Sequence, residues 1–276
     1  MLRSLYSGIS GLRAHQTMLD TTGNNIANVN TAGFKSSSTQ FQDTLSQMTQ
    51  GATTPQAGTG GGNPAQVGLG VQVAGISTNF GQGSTQSTGK ATDMMISGNG
   101  FFITQQGNTT SLTRAGAFDF DGLGQLTSPD GGIVQGWNVD AQGNPTGGLT
   151  GIKLDPNLPN LESYTLGSDG TLTGNFSDGT QQPIARIALG TVTNPAGLQK
   201  AGGSSYTVTA NSGPMTAVTA DQGGAGSIIG GALEMSNVDL SQEFTNLIVA
   251  QRGFQANARI ITTSDEVLQE LANLKR

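Results

Sequence analysis

The side chains best able to do chemistry are few, and their spacing joins none of them into a site. His15 is the single histidine of the 276 residues and falls inside a helical pattern, with no serine–carboxylate pair or second ligand at a spacing that would complete a triad or a metal site. Cysteine is absent, which removes thiolate nucleophiles, disulfides and cysteine-based zinc sites. Asp119-Phe120-Asp121-Gly122 opens like a calcium loop but lacks the later carboxylates and closing glutamate, and reads as a β-turn. Gly98-Asn99-Gly100 and Gly122-Leu123-Gly124 complete neither a dinucleotide nor a phosphate-binding fingerprint. The expectation is a protein that is not an enzyme and has no catalytic, cofactor or metal residues.

The composition points the same way. Charged residues make up 11% of the chain, glycine occupies 43 positions, and the net charge is −6. Such a surface is rich in turns and poor in the lysine and arginine that nucleic acid requires. No apolar run approaches a membrane span. The N-terminus carries no basic, apolar and small-residue succession of a secretory signal, so any export is expected to proceed without cleavage.

The elements that organise the chain are at its ends. Leu5, Leu12, Leu19 and Ile26 recur every seven residues, with Leu2 and Ile9 three residues ahead of Leu5 and Leu12. Near the C-terminus Leu240, Leu247, Phe254, Ile261 and Leu268 repeat at the same interval, with Phe244, Ala258 and Ala272 in part of a second seam position. Helices of this length span roughly 40 to 50 Å, and their stripes must be buried against each other or against neighbouring copies. An intramolecular hairpin on a globular core would satisfy the same periodicity. Gln16, Gly23, Gln251 and Asp265 interrupt the seams, while Ile248, Val249, Ile260, Val267, Leu271 and Leu274 lie off them. That breadth of apolar surface suits a helix with several neighbours better than an exclusive pair. Gly8, Gly11 and Gly23 weaken the first helix by about 1 kcal/mol each, so in isolation it is expected to fray.

Five segments follow from the pattern: an N-terminal helix over 1–33, an extended linker or arm over 34–70, a β-rich domain over 71–220, an exit linker over 221–235 and a C-terminal helix over 236–276. The arm includes the glycine-rich stretch Gly58 to Pro64. Strands are predicted at Val71–Ile76, Met94–Ile96, Gly100–Thr104, Ser163–Leu166, Ile184–Leu189 and Tyr206–Thr209. Hairpin turns are marked by Asp121-Gly122, Asp130-Gly131, Asp169-Gly170 and Asp178-Gly179, and Gly147 to Leu161 reads as a crossing connection. Asp239 with Gln242 has the spacing of a capping box. The fold class is therefore mixed α and β, with terminal helices forming a coiled-coil-like core joined by extended linkers to a mainly β domain.

Two separated runs give these segments a family resemblance. Leu5 to Leu12 followed by Gly23-Asn24-Asn25-Ile26-Ala27-Asn28-Val29-Asn30-Thr31-Ala32-Gly33-Phe34-Lys35 resembles the N-terminal signature of bacterial flagellar axial proteins. Ser236 to Leu240 and Ile248-Val249-Ala250-Gln251-Arg252-Gly253-Phe254-Gln255-Ala256-Asn257-Ala258 resembles their closing signature. Gly98-Asn99-Gly100-Phe101-Phe102 and Ser168-Asp169-Gly170 are similar to the β-domain of the hook and rod branch, and Asn63 to Val71 with Asn194 to Leu198 favours a short hook protein, the distal rod protein being the alternative. Gly253 replaces the alanine usual before the aromatic and adds a flexible point.

The resemblance implies a self-assembling hook subunit: many copies form a helical tube, terminal helices innermost, passing torque from rod to filament as a universal joint. The glycine-rich linkers are expected to allow the tube to bend. The implied partners are further copies, the distal rod protein, the hook cap, the hook–filament junction protein and the flagellar type III export apparatus, with neither nucleic acid nor stable membrane insertion. The subunit interface is expected at Leu5, Ile9, Leu12, Leu19, Ile26, Leu240, Phe244, Leu247, Phe254, Ala258, Ile261 and Leu268. A secreted monomeric β-rich binding module and a hydrolase whose site forms late in folding are the readings from other classes.

Overall fold

In a computed structural model that describes residues 2–55, 60–140, 142–154 and 161–274, the chain divides into two compact units. The first comprises residues 1–27, 37–79 and 239–276; the second comprises 28–36 and 80–238.

The first unit is built on two helices, α1 (Leu2–Ala27) and α2 (Leu240–Asn273). Asp239 caps α2, its side chain accepting from the backbone N–H groups of Ser241 and Gln242. The reciprocal arm of the expected capping box is not made, because the Gln242 amide donates to Asn246 Oδ1 at 3.3 Å instead. Beside the helices, β1 (Ser37–Asp43) pairs antiparallel with β4 (Val71–Thr78), and β2 (Ser46–Gln50) forms a hairpin with β3 (Ala65–Gly68). Much of 34–70 is thus paired strand rather than linker. A two-strand ladder satisfies its backbone groups, which a Ser/Thr/Gln composition alone does not reveal. Of the glycine-rich stretch, Gly58 and Thr59 lie outside the described residues, whereas the Gly62 carbonyl accepts from the Thr53 N–H at 3.0 Å and the Gly62 N–H donates to Thr53 Oγ1 at 2.7 Å.

The second unit is mainly β. Its large sheet runs in the order Leu161–Leu166, Thr171–Phe176, Gln181–Thr191, Ile133–Val139, β7 (Phe101–Gln106), β8 (Thr109–Thr113), Ser205–Thr207 and Gln199–Gly202, after β5 (Thr85–Ser87) and β6 (Met94–Ser97) in the chain. The unbroken apolar run of β7 is explained by burial of both faces. Phe102 enters a cluster with Ile96, Phe118, Leu126, Val134, Ile187 and Leu189, while Phe101 and Ile103 enter a second with Leu112, Ala188 and Tyr206. Successive strand side chains point to opposite faces, so one strand supplies both cores. The Phe102 and Phe118 rings meet edge to face, centroids 5.1 Å apart. Burial pushes the Tyr206 phenol up to about 12.

The predicted strands are present, each displaced by a few residues at its ends. The hairpin turns follow the Asp-Gly signals: Asp121 Oδ1 accepts from the N–H groups of Leu123 and Gln125, and Asp178 Oδ1 from Thr180. The crossing connection is only part of what was expected. Pro145–Gly151 is a strand paired with Ile133–Val139, and residues 155–160, including Pro156 and Pro159, lie outside the described residues. The exit linker is likewise corrected: Ser227–Gly230 pairs with β6 and Ala232–Glu234 pairs with β5.

That last strand delivers Glu234 into a fully buried charge node. Its carboxylate accepts from Lys35 Nζ at 2.6 Å, Arg114 Nη1 at 3.2 Å and the Gly83 N–H at 2.9 Å. Two cations share one carboxylate, and backbone carbonyls solvate the excess: Lys35 donates to Gly81, and Arg114 to Ile96 and Gly98. Burial pulls both Lys35 and Arg114 below their ordinary pKa values, with Glu234 opposing the shift. The Gly33 N–H donates to the Glu234 carbonyl at 2.7 Å, and at its φ of 69° any Cβ on Gly33 would overlap the Arg114–Ala115 backbone. Removing one partner of such a node leaves unpaired charge in the interior. E234A is therefore expected to destabilise the second unit by about 3–5 kcal/mol, measured by denaturant unfolding through Trp137 fluorescence; a loss below about 1 kcal/mol would show that the node is not structural.

Candidate assembly surface

The two helices pair antiparallel, with glycine and polar side chains at their closest points. Gly8 lies against Ile261, Gly11 against Asn257, and Gly253 against His15, where a Cβ on the glycine would stand 3.3, 2.7 and 2.5 Å from the partner side chain respectively. The partners on α2 descend as those on α1 ascend, as an antiparallel pair requires. Ala250 is buried on α2 between these contacts and Glu243, whereas Ala14 is buried on the side of α1 that faces the strands. Glycine at these points allows an approach that larger residues would prevent, at the expense of helix propensity.

At the far end of the seam, Asn25 joins three elements. Its Nδ2 donates to Glu243 Oε1 at 2.9 Å and to the Ser37 carbonyl at 2.8 Å, while its Oδ1 accepts from the Ser37 N–H at 3.0 Å. The amide therefore pairs with β1 as a strand backbone would, and simultaneously holds the first turn of α2. Asn25 and Glu243 are both buried and mutually satisfied.

The expected interface residues fall into two groups. Leu5, Ile9, Leu12, Leu19 and Ile26 on α1, and Leu247, Ala258, Ile261 and Leu268 on α2, are half-buried. Leu240, Phe244 and Phe254 are exposed. The second seam position of α2 was expected at Phe244 and Ala258, but within the chain it is taken by Glu243, Ala250, Asn257 and Ser264, which sit one residue earlier at each repeat. Of the four residues that interrupt the stripes, Gln16, Gln251 and Asp265 are exposed and Gly23 is half-buried.

What remains uncovered is a run of large apolar side chains down α2. Phe244, Ile248 and Val249 are 50, 57 and 54% exposed, and Ile260, Val267, Leu271 and Leu274 are exposed further along the helix, turned around its axis from Phe244. No helix is long and apolar enough to cross a membrane, and the described residues hold no cluster of three or more potential metal ligands. His15, the one histidine, packs edge-on to Phe41 at 5.8 Å. Among the described residues, the feature that calls for a partner is the apolar surface of α2.

Three family profiles match successive parts of the chain: "Flagella basal body rod protein" over residues 5–35, "Flagellar hook protein FlgE/F/G D1 domain" over 95–174, and "Flagellar basal body rod FlgEFG protein C-terminal" over 229–274. The chain is 47% identical over 279 residues to the flagellar basal-body rod protein FlgG of Bacillus subtilis, with all of both chains covered. It is 32% identical over 441 residues to the flagellar hook protein FlgE of Borreliella burgdorferi, again with both chains covered in full. This chain belongs to the flagellar hook and basal-body rod protein family. Within the family it is compact, since the alignment with the rod protein barely exceeds its own 276 residues while that with the hook protein is far longer.

The residues that the periodicity missed are Gly8, Gly11, Asn25, Glu243 and Gly253 in the helix seam, and Lys35, Arg114 and Glu234 in the β unit. Gly8, Gly11, Asn25, Lys35 and Gly253 stand inside the runs that carry the resemblance, but a hydrophobic repeat gives no weight to glycine, amide or charge. The glycines supply a contrast that tests the seam. Gly23 has open space where its Cβ would project, so G23A is expected to stabilise the helices by up to about 1 kcal/mol. G11L, which inserts a branched side chain against Asn257, is expected to cost about 1–3 kcal/mol despite its better helix propensity. Thermal melts followed by circular dichroism at the helix band check both; equal responses would place Gly11 outside the contact.

Proposed function

We propose that this chain is a subunit of the flagellar hook that polymerises into a flexible tube and passes torque from rod to filament. The observation that carries the proposal is the exposed apolar face of α2. A solvated run of Phe, Ile, Val and Leu along a helix of 34 residues is unfavourable in a free monomer and is satisfied when other copies cover it. Membership of a family of axial proteins supplies the partner: further copies of the same chain. By the same resemblance the tube would join the distal rod protein at one end and the hook–filament junction protein at the other, growing beneath a hook cap from subunits delivered, without signal cleavage, by the flagellar type III export apparatus.

A weakly charged surface supports a joint that bends. Among the described residues only Lys90–Asp119 and Arg186–Asp169 are ion pairs that reach solvent. Contacts between copies that depend on few fixed charge pairs can slide without breaking strong, directional bonds. The distal rod reading is favoured by a different observation, the full-length match to a rod protein of nearly the same length. Electron microscopy of tubes grown from the purified chain separates the two: curved, bending tubes are expected for a hook, and uniformly straight ones would assign the chain to the rod.

The role of the α2 face has its own test. Ile248 is 57% exposed, so I248D is expected to leave the unfolding free energy of the monomer within about 0.5 kcal/mol of the parent while abolishing tube formation. Tubes formed at the parental rate would remove this face from the interface.

A further inference from the structure

Within the first unit, the side of α1 carrying Tyr6, Ile9 and Arg13 forms a groove of about 460 Å³ with Leu69, Val71 and Val73 of the strand region. The groove is largely apolar, and Arg13 is its single charged lining residue. Tyr6 and Leu69 stand exposed at its edge. The Val71 N–H donates to Ser10 Oγ at 3.3 Å, joining strand to helix, and the Thr44 N–H and hydroxyl both donate to the Gly70 carbonyl, joining the ends of β1 and β4. Arg13 forms no ion pair with any described residue of its own chain.

The last third of α2 offers the complementary surface. Val267, Leu271 and Leu274 are exposed and spaced to lie on one side of the helix. Glu266 and Glu270 flank them, each preceding an apolar residue of the ridge, and they too form no ion pair with described residues. The stretch 260–274 contains three acidic residues and no basic one, whereas residues 2–19 of α1 contain two arginines and no acidic residue. Earlier parts of the α2 face suit the groove less well, because Arg252 and Arg259 would bring like charge towards Arg13.

We propose that the Arg13 groove of one copy is the socket for the C-terminal third of α2 from a second copy, with Val267 and Leu271 entering the apolar part and Glu270 pairing with Arg13. This pairing rests on the assembly reading above and specifies one contact within it. An ion pair beside an apolar contact contributes register and partner orientation more than raw affinity, which is the requirement at a repeating contact between identical subunits.

Charge reversal tests the pairing. Tube growth is measured by sedimentation and electron microscopy for the parent, R13E, E270R and the double variant R13E/E270R, with monomer folding checked by circular dichroism. Each single variant is expected to raise the protein concentration needed for tubes by at least about tenfold, through like charges brought together, and the double variant to return it towards the parental value. Because the chain contains no cysteine, R13C/E270C offers a direct second readout: a short bismaleimide is expected to link neighbouring copies in tubes and to leave monomers unlinked. Parental assembly by both single variants, or impaired singles that the double variant does not rescue, would overturn the socket while self-assembly stood. A parent that formed no tubes would overturn the assembly reading and the socket with it.

Discussion

The close contact between α1 and α2 decides where every other large side chain of the first unit can go. Gly8, Gly11, Ala250 and Gly253 occupy the seam, with Asn25, Glu243 and Asn257 as its polar members. A seam built this way holds two long helices together at short range, but it buries little apolar area, about 25 cal/mol being gained for each Å² removed from water. Leu5, Leu12, Leu247 and Ile261 are covered only in part, and Phe244, Ile248 and Val249 are left on the side of α2 that its own partner helix does not cover. Stability of the monomer and readiness to polymerise are therefore set by the same choice of residues.

The β unit is organised by a different kind of contact. Lys35 lies near the start of its chain path and Glu234 near the end, with Arg114 between them in sequence, and the three meet in the interior. Desolvating three charges is costly, and replacing such nodes with apolar residues is often neutral or stabilising. Their value here is geometric: the node ties the segment that follows α1 to the strand that precedes α2, together with the backbone at Gly81 and Gly83 and at the end of β6. Few substitutions reproduce so many directional bonds at once.

The parts of this architecture legible in the sequence are those in which hydrophobicity reports burial. Both helices, the strands at Val71, Met94 and Phe101, and the Asp-Gly turns follow from local pattern, and β7 carries its double burial openly in Gly100-Phe101-Phe102-Ile103. The helix seam was harder to read because its buried members are glycine, alanine and amides, so the seven-residue repeat of leucines placed its second position one residue away from Glu243, Ala250 and Asn257. The stretches 34–70 and 221–235 read as linkers because their strands are short and rich in glycine, serine and threonine, and gain their order from partners distant in sequence. The node at Glu234 left only a faint sign: a glutamate between Leu233 and Met235 in a chain where charge is scarce.

The central claim is that the α2 face exposed in a free subunit is the surface other subunits bury. It is tested most directly by the reactivity of a single thiol at position 248, introduced as I248C into a chain that has no cysteine of its own. A maleimide reagent should label the thiol rapidly in monomers and slowly once tubes have formed. Equal labelling of monomer and tube would mean that this face still meets solvent in the assembly, and would contradict the account.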